Sequence, residues 1–265
     1  MAYLQVTYFA EPIMRSTTFY MCLPNDVLPM MTTGNKNYDR KMKTLYLLHG
    51  FSGNPIDWVK GSLVEEMALN YNIAIVMPSG DNSFYVNAEG IGNNYADFVG
   101  CDLINYVHKT FGLSDKKEDV FIGGLSMGGF GAIHTALAYP DQFGGAFGLS
   151  SAFIINQIKG MKPGTKDGVA DYYSYNKVFG DLDKLDTSAV NPEYLIKKLK
   201  EEGKKVPPMY LTCGTEDFLI EQNREFRDFL KNEEVDFTYE ESKGIHDWKF
   251  WNENLEPAIK WILNK

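Results

Sequence analysis

The sequence predicts an α/β fold, with a mainly parallel central sheet covered by helices on both faces. Short apolar runs that are typical of buried strands alternate with amphipathic helical patterns along most of the chain. Parallel strands need long crossovers between them, and the helical patterns supply these crossovers. The 265 residues, 44% of them hydrophobic, are enough to bury a large core, and residues 1–265 are predicted to form one domain.

The predicted sheet opens with an antiparallel pair of strands. Residues 3–9 and 17–23 are rich in β formers and are separated by Glu11-Pro12, so they are expected to lie side by side. The later strands are short and mostly apolar, and they are predicted at 44–48, 73–77, 120–122, 145–149, 209–213 and 236–241. The last of these alternates polar and apolar residues, which is typical of an edge strand.

Helices are predicted between these strands and after the last one. Asn54-Pro55 opens a helix, and its expected inner face consists of Trp58, Leu63, Val64 and Met67. Asp247 is expected to cap a final amphipathic helix that ends the chain.

Residues 152–190 break the alternation of strands and helices. Gly, Asp, Lys and Tyr follow one another there without a clear apolar face. We interpret the segment as a lid-like insertion after the sixth strand, because it is too short and too poor in aliphatic residues to hold a core of its own. An irregular segment of this length in a compact domain is usually functional, so it is expected to form a wall of the substrate site.

Composition and charge exclude several classes of partner. The net charge of −9 disfavours nucleic acid, since affinity for a phosphate backbone comes mostly from Lys and Arg. No run of about 18 apolar residues is present, so no membrane partner is predicted. The N-terminus lacks a signal pattern, which predicts a cytoplasmic protein, or a secreted one if a signal peptide was removed. The sequence leaves the oligomeric state open, a homo-oligomer included.

The sequence gives no sign of a disulfide framework, a metal site or a nucleotide site. Cys22, Cys101 and Cys213 are odd in number and far apart, so we expect buried thiols. No metal-ligand motif is present, and Gly90-Ile-Gly92 lacks the third glycine of a dinucleotide-binding loop. We therefore predict no metal and no other cofactor.

The segment Gly124-Leu-Ser-Met-Gly128 is the first candidate for chemistry. It follows the β-branched and aromatic run at 120–122 and precedes a small-residue helical pattern, so Ser126 is expected at a sharp turn between a strand and a helix. Glycines are needed at 124 and 128 because a Cβ atom at either place would crowd the turn. The pattern Gly-x-Ser-x-Gly is weak evidence alone, but its context agrees with a nucleophilic serine.

A serine nucleophile needs a base, and the base needs a carboxylate to orient it. Asp217 and His246 follow two later strands, so both are expected at the carboxyl edge of the sheet with Ser126, in the chain order serine, acid, histidine. Other carboxylates compete with Asp217 for the role of acid; these are Glu216 and, more remotely, Asp181, Asp183 and Asp186.

Only four histidines are present, so the base is chosen by elimination. His134 lies two helical turns beyond Ser126 and is expected to point away from it, partly exposed. His108 stands near a helix end, where a surface or capping role is expected. His49 ends a strand and could line the site, but we favour a structural role such as hydrogen bonding to the loop that follows. His246 remains as the predicted base.

An ester carbonyl under attack also needs two hydrogen-bond donors for its developing negative charge. The backbone N–H of Met127, directly after the nucleophile, is one predicted donor. The other is expected from the loop after the strand that ends at His49-Gly50, and Phe51 is the predicted residue.

Four motifs in this order resemble a known group of enzymes; they are His49-Gly-Phe-Ser-Gly53, Gly124-Leu-Ser-Met-Gly-Gly129, Cys213-Gly-Thr-Glu-Asp217 and Gly244-Ile-His-Asp-Trp248. Together they are similar to the α/β-hydrolase esterases that include tributyrin esterases, feruloyl and acetylxylan esterases and S-formylglutathione hydrolases. The resemblance covers nearly the whole chain and is strongest to small tributyrin-type and cinnamoyl esterases. It implies the α/β-hydrolase fold, with Ser126 as nucleophile, Asp217 as acid and His246 as base.

The resemblance also implies an activity. It predicts a serine carboxylesterase that works through an acyl-enzyme on hydroxycinnamoyl, short-chain or acetyl esters, including esters on plant polysaccharide such as xylan. A thioesterase of the S-formylglutathione type and an acyltransferase are the alternatives. The S-formylglutathione branch usually has a histidine before the nucleophile, whereas this chain has Leu125.

Aromatic side chains make up 14% of the chain and are the candidates for contacts with substrate. Trp58, Tyr85, Tyr175 and Trp248 are the predicted substrate-binding residues, with Phe84 as a further member of the group. Packing in the core is the competing interpretation, and we favour it for Trp58 and Trp248.

Overall fold

The computed structural model describes residues 1–264, and within this range eight strands form one sheet in the order β1-β2-β4-β3-β5-β6-β7-β8. The strands are β1 (Ala2–Ala10), β2 (Arg15–Leu23), β3 (Lys43–Leu48), β4 (Ile73–Pro78), β5 (Val120–Leu125), β6 (Gly145–Leu149), β7 (Met209–Gly214) and β8 (Phe237–Ser242). β2 is antiparallel to β1 and to β4, and the other neighbours are parallel. The predicted antiparallel opening and the edge position of β8 are confirmed.

Helices cover both faces of the sheet. The α-helices are α1 (Pro29–Thr32), α2 (Asp57–Gly61), α3 (Val64–Tyr71), α4 (Tyr95–Asp97), α5 (Leu103–Phe111), α6 (Met127–Ala138), α7 (Ile155–Ile158), α8 (Tyr172–Phe179), α9 (Pro192–Glu201), α10 (Ile220–Asn232) and α11 (Trp248–Leu263). A π-helical turn at Phe98–Asp102 joins α4 to α5. The Asp247 side chain accepts a hydrogen bond from the Phe250 amide, as expected for the cap of the last helix.

The central strands are buried on both faces because their side chains alternate between two cores. In β3, Tyr46 and Leu48 pack into one hydrophobic cluster, while Leu45 and Leu47 pack into the other. β4 follows the same rule, with Val76 in the first cluster. Continuous apolar runs are what such doubly covered parallel strands require. The α/β fold predicted from those runs is therefore confirmed.

One predicted helix face is wrong in detail. The segment after Asn54-Pro55 forms two helices, α2 and α3, and Leu63 lies between them with 54% of its surface exposed. The Ser62 hydroxyl donates to the carbonyl of Trp58 as α2 ends, and the chain then turns before α3. The periodic pattern continued through this break, so the sequence placed Leu63 on the inner face.

The segment 152–190 contains more regular structure than its irregular sequence suggested. It forms α7, α8 and a 3₁₀ turn at Leu185–Thr187. Its buried apolar side chains, which include Ile158, Phe179 and Leu185, join the core on one face of the sheet. The helices are too short to show a repeating apolar face, which explains why periodicity failed to reveal them.

Cys22 and Cys213 are buried thiols, as expected, whereas Cys101 is half-buried, and all three are free. Across residues 1–264, no helix has the length and apolar character needed to cross a membrane.

Candidate active site

Ser126 occupies a strained turn between β5 and α6. Its φ of 53° and ψ of −120° lie in a region that residues with a side chain rarely adopt. The turn is fixed by the end of the neighbouring strand, because the Ser126 amide donates to the carbonyl of Leu149 at 2.9 Å. The Ser126 carbonyl in turn accepts from the amide of Ala152 at 3.0 Å. These bonds hold the hydroxyl at the carboxyl edge of the sheet.

The two glycines that flank Ser126 leave no room for a side chain. A Cβ atom at Gly124 would lie 2.4 Å from backbone atoms of Gly128. A Cβ atom at Gly128 would lie 2.2 Å from the carbonyl oxygen of Leu48, at the end of β3. Both contacts are to backbone atoms, which cannot move aside as a flexible side chain can. The requirement for glycine at 124 and 128 is therefore confirmed.

Ser126, His246 and Asp217 form one chain of hydrogen bonds. The Nε2 atom of His246 lies 3.0 Å from the Oγ atom of Ser126. The Nδ1 atom of His246 lies 2.9 Å from Oδ2 and 3.1 Å from Oδ1 of Asp217. Since a carboxylate can only accept, Nδ1 carries the proton, which leaves Nε2 free to accept from the serine hydroxyl. The three residues that the sequence singled out thus come together over 120 residues of chain separation.

Asp217 is buried, with 3% of its surface exposed. Burial alone raises the pKa of this carboxyl, but the hydrogen bond and charge of His246 and the hydrogen bond from the Leu219 amide outweigh that effect. The net result is a pKa below the ordinary value, so Asp217 is ionised at neutral pH. A buried, ionised carboxylate at Nδ1 fixes the tautomer and orientation of the imidazole.

The other carboxylates considered from the sequence lie elsewhere. Glu216 is exposed, although it adjoins Asp217. Asp181, Asp183 and Asp186 lie on the insertion, where each pairs with a lysine at the surface. Asp217 is the carboxylate that reaches His246.

The loop after β3 lies directly against the nucleophile. A Cβ atom at Gly50 would lie 3.5 Å from Cβ of Ser126. Within the described range of the chain, the amides of Phe51 and Met127 have no hydrogen-bond partner in a loop, turn or side chain. Met127 is the first residue of α6, so its amide has no carbonyl from a preceding turn to bond. Both predicted donors therefore remain available to a ligand.

His49 holds this loop from the side away from solvent. Its Nε2 atom accepts from the Gly80 amide at 2.9 Å, so its proton resides on Nδ1, which donates to the carbonyl of Gly50 at 2.8 Å. Burial lowers the pKa of His49 and keeps the ring neutral. The Gly50 carbonyl belongs to the same planar peptide as the Phe51 N–H, and the two point in opposite directions. His49 thereby orients the amide of Phe51, and the structural role favoured for it is confirmed.

The remaining histidines lie away from the hydroxyl of Ser126. His108 bonds through Nδ1 to the carbonyl of Leu113 near the end of α5, in agreement with a capping role. The expected partial exposure of His134 is wrong, because only 3% of its surface is exposed and Nε2 bonds to the carbonyl of Ala189 at 2.9 Å. The insertion covers this part of α6. Helical spacing describes α6 alone, so it could not reveal where the insertion lies.

Two of the aromatic residues predicted to bind substrate are instead core residues. Trp58 has no exposed surface, and its indole N–H donates to the carbonyl of Leu48. Tyr85 is equally buried, and its hydroxyl donates to the carbonyl of His49 at 3.2 Å. Each lies behind the oxyanion loop and supports it. A contact with substrate is therefore wrong for both, and the preference for core packing at Trp58 is confirmed.

Two cavities border Phe51, and they contain the other two predicted aromatics. A cavity of about 250 Å³ is lined by Gly50, Phe51, Leu125, Trp248 and Trp251. A larger one, of about 440 Å³, is lined by Tyr175 and other residues of the insertion together with Phe84 and Tyr95. Trp248 is half-buried, so it is less enclosed than the favoured core interpretation implied. The insertion forms one wall of the larger cavity, and its expected role beside the substrate stays a prediction.

Sequence reasoning missed two rings that pack on the candidate base. The ring centroid of Phe218 lies 4.6 Å from that of His246, and the ring of Trp251 meets His246 edge-on at 5.0 Å. Phe218 adjoins Asp217 in the chain, and that adjacency was the available signal. Within residues 1–264, no group of three or more His, Cys, Asp or Glu side chains is arranged to hold a metal ion.

Known proteins resemble this chain over nearly its whole length. The Esterase family model matches residues 11–262. An acetyl esterase of Caldicellulosiruptor saccharolyticus is 40% identical over 262 residues, which are 99% of this chain and 98% of that protein. Among solved structures, the fluorophosphonate-binding serine hydrolase F of Staphylococcus aureus has a TM-score of 0.83 and 31% identity, covering 100% of this chain and 99% of the other.

An S-formylglutathione hydrolase of Staphylococcus aureus has a TM-score of 0.82 and 31% identity, covering 99% of both chains. The predicted resemblance is thus confirmed at the level of family and fold. The chain belongs to the Esterase family, has the α/β-hydrolase fold, and is an ester hydrolase of the serine class.

Proposed function

We propose that the protein hydrolyses acetyl and other short-chain carboxylic esters through an acyl-enzyme on Ser126. The observation that carries the proposal is the hydrogen-bond chain from Ser126 through His246 to Asp217. In the first half of the reaction, Oγ of Ser126 attacks the ester carbonyl while Nε2 of His246 takes the hydroxyl proton. The imidazolium that forms is stabilised by the ionised Asp217.

The tetrahedral intermediate places a negative charge on the former carbonyl oxygen. The amides of Met127 and Phe51 are the proposed donors to this oxygen, and they act in fixed positions because α6 and His49 hold them. Collapse of the intermediate breaks the bond to the alcohol, which takes the proton from Nε2 of His246. Water then attacks the acyl-enzyme with His246 as base and releases the acid, so the enzyme returns to its starting state.

A short acyl group is supported by the relative and by the small cavity beside the oxyanion loop. The 40% identical protein is an acetyl esterase. The cavity of about 250 Å³ is bounded by Leu125 and by Trp248 and Trp251, which limit the length of an acyl chain that lies there. A hydroxycinnamoyl group, proposed as a second acyl type, would need the flat walls that these two rings or the cavity of about 440 Å³ provide.

A thioesterase of the S-formylglutathione type is the second candidate function, favoured by the 31% identical hydrolase of that name. The two candidates use the same three residues and differ in the leaving group. We propose the oxygen ester because the more similar relative acts on acetyl esters by name. An acyltransferase would need the second half of the reaction to exclude water, and the His246 side chain, which is 17% exposed, remains accessible to water.

The substrate is tested by comparing kcat/KM for p-nitrophenyl acetate, methyl ferulate, acetylated xylan and S-formylglutathione. The acetyl esters are expected to be preferred, with Ser126→Ala as the inactive control for each. A preference of more than about 10²-fold for S-formylglutathione would overturn the proposal, since that ratio exceeds what one small pocket contact supplies. Preference for methyl ferulate over the acetyl esters would instead assign the hydroxycinnamoyl acyl group. Activity on acetylated xylan would place the natural ester on plant polysaccharide.

A further inference from the structure

Phe218 is an exposed aromatic residue whose ring lies beside the proposed catalytic base. Its neighbours in sequence, Asp217 and Leu219, are 3% and 5% exposed, whereas Phe218 is 64% exposed. Phe218 belongs to neither hydrophobic cluster of the described chain, and its ring packs on that of His246, with the two centroids 4.6 Å apart. A single exposed apolar residue is ordinary on a protein surface. The contact with His246 distinguishes Phe218 from other exposed apolar residues on the surface.

The backbone around Phe218 is fixed with respect to His246. The loops that follow β7 and β8 are joined by two hydrogen bonds of 2.9 Å, from the Thr215 amide to the carbonyl of Ser242 and from the Glu216 amide to the carbonyl of Gly244. The Leu219 amide bonds to Oδ1 of Asp217 at 2.9 Å. The same bonds that hold the acid and the base together therefore also place the backbone of Phe218 beside His246.

The chemistry restricts what can lie against this ring. When the tetrahedral intermediate collapses, the leaving oxygen must be within hydrogen-bond reach of Nε2 of His246. Trp251 is 7% exposed, whereas Phe218 is an exposed ring in contact with the imidazole, so a group on the leaving oxygen lies within reach of Phe218. Whatever is attached to the leaving oxygen is then brought next to Phe218.

We propose that Phe218 forms a leaving-group subsite for alcohols whose ring presents an apolar face, either an aryl ring or the C–H face of a sugar. This inference rests on the proposed esterase function and adds the alcohol side of the substrate to it. Two planar faces in contact are favourable, whereas a small alkyl alcohol is too short to cover the ring. Phe218 then contributes to acylation and has no part in deacylation, because the alcohol has left before water attacks.

The test compares Phe218→Ala with the wild-type enzyme on three acetate esters, namely phenyl acetate, an acetylated methyl xyloside and ethyl acetate. For each ester, kcat/KM of the variant is divided by kcat/KM of the wild type, so the intrinsic reactivity of that ester cancels. We expect kcat/KM to fall about five- to tenfold for the ring-bearing alcohols, the size of one aromatic contact, and less than about twofold for ethyl acetate. The deacylation rate, measured after a burst of p-nitrophenyl acetate turnover, is expected to stay unchanged. A fall with phenyl acetate alone would assign aryl alcohols, and a fall with the xyloside alone would assign sugars.

Phe9→Ala is the matched control, because it removes a ring that is 59% exposed on β1, at the opposite edge of the sheet. All rates are expected to be as in the wild type. An equal fall for all three substrates together with slower deacylation would overturn the subsite, since that result means that Phe218 only positions His246. Unchanged ratios for all three would overturn it too. If the wild type hydrolysed none of the esters, the esterase proposal itself would fail, and the two failures are thereby distinguished.

Discussion

The Nε2 atom of His246 lies 3.0 Å from Oγ of Ser126, within hydrogen-bond distance before any substrate arrives. The contact places Nε2 where it can take the proton of the Ser126 hydroxyl, the proposed nucleophile. Replacing Ser126 with alanine removes the attacking oxygen and leaves the rest of the site in place. We expect kcat on p-nitrophenyl acetate to fall by about 10⁶. Thermal unfolding of the variant should match the wild type, and retention of esterase activity in the folded variant would disprove the mechanism.

Asp217→Asn tests the orientation of the imidazole. An amide at this position can donate to Nδ1, which would move the proton of His246 to Nε2 and prevent it from accepting from Ser126. We expect kcat to fall by about 10⁴ with a small change in KM, because the lost effect acts on the chemical step. The measurement is steady-state hydrolysis of p-nitrophenyl acetate. Asp183→Asn serves as the control, since Asp183 pairs with Lys162 at the surface of the insertion. A loss in the control as large as in Asp217→Asn would contradict the assignment.

His49 is expected to affect the oxyanion site without contacting substrate. In His49→Ala, the amide of Gly80 loses its partner and the carbonyl of Gly50 keeps only the bond from the Gly53 amide, so the peptide that carries the Phe51 N–H is held less firmly. We expect kcat to fall by on the order of 10², the effect of a weakened oxyanion donor, with KM nearly unchanged. The affinity for a trifluoromethyl ketone, which forms a tetrahedral oxyanion on Ser126, should fall in parallel.

His49→Asn is the matched variant, because the side-chain N–H of asparagine can replace Nδ1 as donor to the carbonyl of Gly50, while Nε2 has no counterpart. Partial recovery of kcat is expected in His49→Asn relative to His49→Ala. If the ketone bound His49→Ala as tightly as the wild type, the role in orienting Phe51 would be excluded, and the loss would reflect general destabilisation.

The fold and the three central residues were predictable because each depends on local sequence. The side chains of β3 and β4 alternate between two hydrophobic clusters. Nearly every residue of these strands must therefore be apolar, and such continuous apolar runs are visible in the sequence. Glycines at 124 and 128 are imposed by backbone contacts of 2.4 Å and 2.2 Å, so the strand, turn and helix at Ser126 are visible in the sequence. Asp217 and His246 were found because strand ends collect at one edge of a parallel sheet.

Properties that depend on packing between distant segments were not predictable. Trp58 and Tyr85 have the aromatic side chains expected in the wall of a substrate site. Each nevertheless donates a hydrogen bond to a backbone carbonyl behind the oxyanion loop. His134 is covered by the insertion, and its ring bonds to the carbonyl of Ala189, 55 residues further along the chain. Phe218 was missed because its significance comes from a ring contact with His246 across two loops. Periodicity describes one element at a time and carries no information about such contacts.

The buried His134 makes the stability of the protein depend on pH. Burial lowers the pKa of His134 from 6.5 to about 4, although the bond to the carbonyl of Ala189 acts in the opposite direction. Between these two pKa values the unfolded chain binds a proton that the folded protein does not, so the free energy of unfolding decreases as the pH falls. The stabilisation is complete above pH 6.5 and is lost progressively down to about pH 4.

From about pH 7.5 to about pH 5, the contribution of His134 to the free energy of unfolding is expected to fall by about 2 kcal/mol. Urea unfolding of wild type and His134→Leu at the two pH values measures this difference. The variant cannot be protonated at this position, so its loss of stability over the interval should be smaller by that amount. His49, whose pKa is also lowered by burial, contributes equally to both proteins and cancels in the comparison. An identical loss in the two proteins would mean that His134 takes up its proton as readily when folded as when unfolded.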